Sequence, residues 1–211
     1  MNGAGWFVGP CDADEGVRAP RGNHWDLRVA GGAAQRGGVD YLSLIDRSKV
    51  HYKRSDVTPI FAEPAAFRAL VEDLVAPWVN APAGERVERV VGTDALGFVV
   101  GTALALRLGV GFVPVRKGGK LPVRHERVSF SDYTGGEKSL ELRANPWPAG
   151  TRVLLVDEWI ETGATAKAAV ELIERADGVV VGIAAIAFRK NEKTADLWAK
   201  YRCLGVWPEQ V

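Results

Sequence analysis

Apolar residues recur along most of the chain at two alternating spacings, one typical of helices and one typical of strands. Helical spacing predicts three helices, at residues 63–79, 97–109 and 165–177. The first has Pro64 at its start, and the second ends at Gly109. Short apolar runs predict buried strands at residues 86–94, 111–117, 152–159 and 178–188. Strands that alternate with helices predict an α/β fold, a parallel twisted sheet flanked by helices.

Two shorter runs predict a hairpin. ERVSFSDY and KSLELRA, residues 126–133 and 138–144, have the pattern of paired strands around a turn at Gly135 and Gly136. Two further glycines, at 118 and 119, precede this segment. Because glycines act as low-stability hinges, we expect the region from about Arg124 to Leu142 to be a flexible lid.

The N-terminal part differs in composition from the rest. Residues 1–38 hold many glycines and scattered charges, and strand-like runs occur only at HWDLRVA and, just beyond, at VDYLSLI (residues 24–30 and 39–45). We therefore divide the chain into an N-terminal extension, residues 1–49, and a core domain, residues 50–211.

Composition and charge exclude several classes of protein. Lys and Arg number 27 against 26 Asp and Glu, a net charge of +1, which gives no general attraction to nucleic acid or membrane. No apolar run reaches the roughly 18 residues of a membrane span, and the N-terminus lacks a signal-peptide pattern. Cys11 and Cys203 have no metal-ligand spacing; a reduced cytoplasmic protein is the simplest interpretation, and a disulfide between the two ends is the alternative.

The most informative segment is VLLVDEWIETGATAKAAV, residues 153–170. A buried strand ends in Asp157 and Glu158, and the loop from Thr162 to Thr165 leads into a helix. Ligands of open α/β sheets bind outside the carboxyl ends of the strands, and a helix N-terminus binds phosphate. Two acids would repel a phosphate but suit hydroxyl groups, so the segment fits a phosphorylated ribose. A capped helix with solvated acids is the alternative.

This segment resembles the phosphoribosyl diphosphate motif of the type I phosphoribosyltransferases: a hydrophobic strand, two acids, two variable residues, a small or acidic residue and then Thr-Gly-x-Thr. The resemblance implies that Asp157 and Glu158 hold the ribose hydroxyls and contact Mg²⁺ indirectly, through ribose or water. It assigns the 5′-phosphate loop to Glu161, Thr162, Gly163, Ala164 and Thr165.

Upstream segments resemble the adenine branch of that family. GTDALGFVVGTALALRLGVGFVPVRKGGKLP, residues 92–122, is similar to its diphosphate loop, the following helix and a cationic strand end. The resemblance implies substrate contacts by Asp94, Ala95, Arg116, Lys117, Lys120 and Trp159. FSDYTGGEKSLEL resembles the mobile catalytic loop of that branch, so that Asp132 becomes a catalytic candidate and Tyr133 a substrate contact.

The sequence departs from the pattern of that branch at the diphosphate loop, at the hood over the base and at Glu161. Leu96 stands where the branch carries an arginine in its diphosphate loop, and Arg54-Ser55-Asp56 replaces its Phe-Arg-Asp in the hood over the base. The N-terminal extension is a candidate replacement for that hood, or a surface that packs on the core or on a partner. Glu161 resembles the aspartate of the hypoxanthine-guanine branch and becomes a second catalytic candidate; the alternative is that it points to solvent.

The resemblance implies a cytoplasmic, homodimeric, Mg²⁺-dependent enzyme of purine salvage. Its expected reaction transfers a phosphoribosyl group from phosphoribosyl diphosphate to a purine, adenine above all, with release of diphosphate. Two alternatives stay open: a phosphoribosyltransferase for another heteroaromatic base, and a non-catalytic regulator of transcription that senses phosphoribosyl diphosphate. The sequence has no visible basic helix-turn-helix segment to support the regulator.

Overall fold

A single seven-stranded sheet organises the part of the chain that the computed structural model describes, residues 38–48, 55–131 and 136–207. Its strands are β1 Arg89–Thr93, β2 Gly111–Lys117, β3 His125–Ser131, β4 Glu137–Arg143, β5 Arg152–Ile160, β6 Val179–Phe188 and β7 Cys203–Gly205. The helices are α1 Thr58–Ala62, α2 Pro64–Val79, α3 Leu96–Leu108, α4 Ala164–Arg175 and α5 Ala195–Lys200. The strand order is β3-β4-β2-β1-β5-β6-β7.

The sheet combines a parallel body with an antiparallel edge. β2, β1, β5, β6 and β7 run parallel, as the alternation of strands and helices predicts. β3 and β4 form the predicted hairpin, and β4 joins β2 in antiparallel register, with Arg116 opposite Glu141 and Lys117 opposite Leu140. The turn of the hairpin, residues 132–135, lies outside the described residues. The α/β prediction is confirmed.

Apolar side chains of the central strands point alternately to two cores, one on each face of the sheet. Val90 and Leu154 pack with α2 and α3 in the first core. Val91 and Leu155 pack with α4 and the hairpin in the second. Strands covered on both faces become continuous apolar runs, which is why β5 and β6 were recognisable from sequence.

Helix boundaries follow local signals. α2 begins at Pro64, where the missing N–H has no helical partner in any case. α3 ends at Gly109, which adopts a left-handed conformation (φ 70°) and donates its N–H back to the helix carbonyls. Both boundaries agree with the sequence prediction.

The strand-like run VDYLSLI is not a strand. Residues Tyr41–Leu44 form a 3-10 helix, because the Asp40 side chain accepts the N–H of Ser43 and closes a turn. Tyr41 is buried in the first core, where its hydroxyl donates to Asp73 Oδ2 of α2 over 2.8 Å. The other strand-like run of the extension, HWDLRVA, lies outside the described residues. α5 and β7 are elements that the sequence patterns did not reveal.

Candidate active site

A cavity of about 720 Å³ opens at the carboxyl ends of β1, β2 and β5 and at the start of α4. Parallel strands bring their carboxyl ends to one edge of the sheet, so loops that are distant in sequence meet there. Of the residues that the sequence singles out, those lining the cavity are Asp94, Ala95, Leu96, Lys117, Asp157, Glu158, Trp159, Glu161, Thr162, Gly163, Ala164 and Thr165. The structure therefore brings together most of the predicted site.

The paired acids occupy the end of β5. Asp157 is 7% exposed, while Glu158 is more open to the cavity, and the backbone N–H of Glu158 donates to Asp157 Oδ1 over 2.8 Å. Burial raises the pKa of Asp157 well above its ordinary value, and the neighbouring Glu158 carboxylate raises it further. One member of the pair thus favours its neutral form, which can both donate to and accept from a sugar hydroxyl.

The loop that follows β5 has a conformation that requires glycine at its centre. Gly163 adopts a φ of +75°, and a β-carbon there would lie 3.2 Å from side-chain carbons of both Thr194 and Leu197. The loop leads into α4, whose first residues, Ala164, Thr165 and Ala166, line the cavity. Unpaired N–H groups of a first helical turn, with the positive end of the helix dipole, suit a phosphate.

A second segment, which the sequence analysis missed, supports this loop from behind. Asn191 donates its side-chain N–H to the carbonyl of Glu161 over 2.9 Å. The Asn191 Oδ1 atom accepts the backbone N–H groups of Lys193 and Thr194, which fixes its orientation. The carboxylate of Glu161 forms an ion pair of 3.4 Å with Arg189. An asparagine three residues before a threonine, just after a buried strand, was the available sequence signal.

The opposite wall comes from the ends of β1 and β2. Asp94, Ala95 and Leu96 follow β1, and the peptide bond between Asp94 and Ala95 is cis. Leu96 presents an apolar side chain where the resembled branch has arginine.

The three predicted cations have different positions. Lys117 lines the cavity together with Gly118. Arg116 instead pairs with Asp94 over 3.3 Å and lies above the ring of Phe98. Lys120 is exposed in the following turn and does not line the cavity.

Two further walls complete the cavity. The hairpin contributes residues from the facing ends of its strands, Phe130 of β3 and Glu137–Leu140 of β4. Asp132 and Tyr133, predicted in its loop, lie outside the described residues. Trp159 lines the cavity and packs edge-to-face against Trp207, with ring centroids 5.2 Å apart.

Two absences concern residues 38–48, 55–131 and 136–207, the part of the chain that the structure describes. Nowhere in those ranges do three or more His, Cys, Asp or Glu side chains gather closely enough to hold a metal ion. None of the helices in those ranges has the length and apolar character of a membrane span.

The sequence is similar to a known family and to curated members of it. Residues 60–210 match the model of the phosphoribosyl transferase domain. An adenine phosphoribosyltransferase of Cereibacter sphaeroides is 46% identical over 147 residues, which are 69% of this chain and 79% of that protein. The adenine phosphoribosyltransferase of Thermobifida fusca is 40% identical over 67% of this chain and 80% of its own length.

Solved structures show the same architecture. Adenine phosphoribosyltransferase from Saccharomyces cerevisiae, complexed with adenine and an imino-altritol bisphosphate, superposes with a TM-score of 0.70 at 28% identity, covering 80% of this chain and 97% of that one. The enzyme from Rhodothermus marinus gives a TM-score of 0.69 at 33% identity, covering 79% of this chain and 94% of that one.

Proposed function

The chain belongs to the phosphoribosyl transferase family, and we propose that it transfers a phosphoribosyl group from phosphoribosyl diphosphate to adenine, with release of diphosphate. It is then a glycosyltransferase of the pentosyltransferase type, acting in purine salvage. The observation that carries this proposal is the cavity in which two strand-end acids adjoin a glycine-centred loop at a helix start. The similarity to adenine phosphoribosyltransferases over most of their length supports the choice of base.

We assign the ribose phosphate to the end of β5 and the start of α4. The 5′-phosphate accepts hydrogen bonds from the loop Thr162–Thr165, which lines the cavity and offers backbone N–H groups and two threonine hydroxyls. Asp157 and Glu158 hold the ribose hydroxyls. Breaking the bond to diphosphate leaves positive charge on the sugar ring, and carboxylates fixed beside it stabilise that charge in the transition state.

We assign the leaving diphosphate to the opposite wall. Lys117 brings a positive charge to the cavity, and the backbone of Asp94 and Ala95 adjoins it. Arg116 is held by Asp94, so the carboxylate and the guanidinium partly neutralise each other at this end. Leu96 adds no charge, so the diphosphate depends more on Lys117 than it would in a site with an arginine at position 96.

Mg²⁺ fits this arrangement as the cofactor. The ion keeps several waters and binds through one or two carboxylates together with substrate phosphates, so it needs no cluster of three protein ligands. Asp157 and Glu158 are the carboxylates that would hold it, directly or through ribose and water. When bound, Mg²⁺ neutralises the charge that collects on the departing diphosphate.

The base is assigned to the side of the cavity next to Trp159. Its ring, fixed against Trp207, offers an apolar surface for a flat heterocycle. The attacking ring nitrogen loses a proton as the new carbon–nitrogen bond forms, and a carboxylate within reach can accept that proton. Glu161 and, on the hairpin loop, Asp132 are our two candidates, while Tyr133 is a candidate substrate contact.

We also propose that the protein is a cytoplasmic homodimer. Val99 and Leu106 are 40% and 78% exposed on one side of α3, an apolar surface that a second copy would cover. Cys203 is buried and not in a disulfide, which fits a reducing compartment.

An assay of diphosphate release with purified protein, phosphoribosyl diphosphate and Mg²⁺ tests the reaction. Adenine, hypoxanthine, guanine and xanthine are compared as acceptors, and we expect turnover with adenine to exceed the others. Higher turnover with another base would contradict adenine as the acceptor and would identify that base as the substrate.

Thermal unfolding with and without phosphoribosyl diphosphate separates an enzyme from a sensor. Ligand at about 100 times its Kd stabilises the folded protein by about 2.7 kcal/mol. Stabilisation without turnover for any base would indicate a sensor, and absence of both would contradict the assignment of the site.

A further inference from the structure

Glu141 of β4 is a charged side chain with no exposure to solvent. Its two neighbours on the strand, Leu140 and Leu142, point to the second core and are equally buried. Glu141 points to the other face of the hairpin, toward the turn that links β2 to β3. A buried carboxylate persists only where several donors compensate for the loss of water, so its partners reveal what it does.

The carboxylate binds the turn through two backbone hydrogen bonds. Gly119 donates its N–H to Oε1 over 2.8 Å, and Leu121 donates its N–H to Oε2 over 3.1 Å. Arg127, directly opposite on β3, donates to Oε1, and His125 Nε2 lies 3.3 Å from the same atom. Burial opposes the charge, but these donors outweigh burial and lower the pKa of Glu141 to about 2.

Apart from Glu141, the turn is held to β4 by the N–H of Gly118, which donates to the carbonyl of Ser139 over 2.9 Å. Gly119 has a φ of +78°, and the N–H of Lys120 reaches the carbonyl of Lys117 over 3.2 Å. A β-carbon on Gly118 would lie 2.1 Å from the Ser139 hydroxyl, so the turn lies tightly against β4. Two consecutive glycines leave the backbone intrinsically free, and the carboxylate of Glu141 restricts it.

The first residues of this turn line the cavity. Lys117 and Gly118 line the wall that we assign to diphosphate, and Glu141 binds the N–H groups of Gly119 and Leu121 in the same turn. We propose that Glu141 is a positioning residue of the transferase: it holds the turn of residues 117–121 so that the Lys117 charge and the Gly118 backbone face the diphosphate. The inference rests on the proposed function. It also couples the hairpin to the cationic turn, because one carboxylate joins both.

Steady-state kinetics of Glu141→Gln test this role. The amide keeps the size of the side chain but loses the charge and one acceptor, so one N–H of the turn is left without its partner. We expect the KM for phosphoribosyl diphosphate to rise about tenfold, the factor typical of losing one charge-assisted hydrogen bond. The KM for adenine should stay within about twofold, because the base lies on the other side of the cavity.

Two further variants make the result specific. Glu141→Asp keeps the charge on a shorter arm, and its KM for phosphoribosyl diphosphate should fall between those of the wild type and Glu141→Gln. Glu126→Gln makes the same chemical change at an exposed position of β3, away from the turn, and should leave both KM values unchanged. Where Glu141→Gln fails to fold, the Asp variant carries the test.

Hydrogen exchange gives an independent measure without substrate. Amides of residues 117–123 should exchange faster in Glu141→Gln than in the wild type, while those of β6 stay equal. An unchanged KM for phosphoribosyl diphosphate in an active, folded Glu141→Gln protein would refute the inference, as would equal rises in both KM values. An inactive wild type would refute the proposed function instead. Unchanged exchange of the turn in Glu141→Gln would still refute the claim that Glu141 holds the turn.

Discussion

The carboxylate of Glu161 lies 3.4 Å from the guanidinium of Arg189. Glu161 directly follows β5, and Arg189 directly follows β6, the strand beside it. Both side chains are about one-third exposed, so a ligand can reach the pair. The ion pair holds Glu161 at the cavity rim rather than free in solvent. Glu161 therefore stands where its carboxylate can contact a base bound in the cavity.

We predict that Glu161→Ala lowers kcat/KM for the preferred base by about tenfold, because a hydrogen bond to the base is lost. The KM for phosphoribosyl diphosphate should be kept. The measurement is the base panel of adenine, hypoxanthine, guanine and xanthine, with Glu192→Ala on the exposed loop as control. Activity equal to that of the wild type with all four bases would mean that Glu161 does not contact the base.

Arg189→Ala should lower kcat/KM for the same base if the arginine orients Glu161. The double variant should then be no worse than Glu161→Ala alone, since the two residues act as one unit. Additive losses would instead mean that the Arg189 side chain acts independently of Glu161.

Thr165→Val tests the phosphate loop. The change removes one hydroxyl at the first turn of α4 with little change in shape, and loss of a preorganised donor typically lowers the rate about 10²-fold. We expect a higher KM for phosphoribosyl diphosphate, a lower kcat, or both. Thr102→Val, on the exposed side of α3, is the matched control. Unchanged KM and kcat in Thr165→Val would contradict the assignment of the phosphate.

The hairpin should behave as a lid. Much of β3 is exposed, and among the described residues β4 pairs with β2 only at Leu140 and Glu141, so little of the hairpin is paired with the body of the sheet. We predict fast amide exchange from about residue 124 to residue 142 without ligand, and slower exchange with phosphoribosyl diphosphate and Mg²⁺. β6, buried in the centre of the fold, should be slow in both states. Uniformly slow exchange without ligand would indicate a rigid hairpin.

Asp157 should make stability depend on pH in a defined direction. Burial raises its pKa in the folded protein, so the folded state holds this proton more tightly than the unfolded chain does. Its contribution to stability is complete below the ordinary aspartate pKa of about 4 and is lost as the pH rises through the raised value. Without ligand, the Tm of the wild type should therefore fall relative to that of Asp157→Asn as the pH increases. A difference in Tm between the two proteins that stays the same at every pH would contradict this prediction.

The bond from Tyr41 to Asp73 should anchor the segment before α1. Tyr41→Phe removes a buried hydroxyl from a carboxylate, so we expect the free energy of unfolding to fall by about 1–3 kcal/mol. Tyr201→Phe is a matched control, because its hydroxyl also donates to a carboxylate, that of Glu174, but at the surface. Its expected change is below about 1 kcal/mol. Equal effects of the two changes in urea unfolding would contradict the prediction.

The local order of residues determined much of this protein. The alternation of strands and helices follows from apolar spacing, because a strand covered on both faces must be apolar throughout. The phosphate loop was recognisable because the acids, the glycine with positive φ and the helix start all lie within the 18 residues from Val153 to Val170. Local chemistry of this kind needs no knowledge of the strand order.

The tertiary structure decided which distant residues serve that loop. Asn191 holds the carbonyl of Glu161 from 30 positions away, and Glu141 holds Gly119 from 22 positions away. Lys117 and Lys120 belong to one short cationic run, but only Lys117 lines the cavity. These contacts depend on strand order and register, which bring β6 beside β5 and β4 beside β2. Apolar spacing specifies that a strand is buried but not which strand pairs with it, so only the folded sheet could reveal these partners.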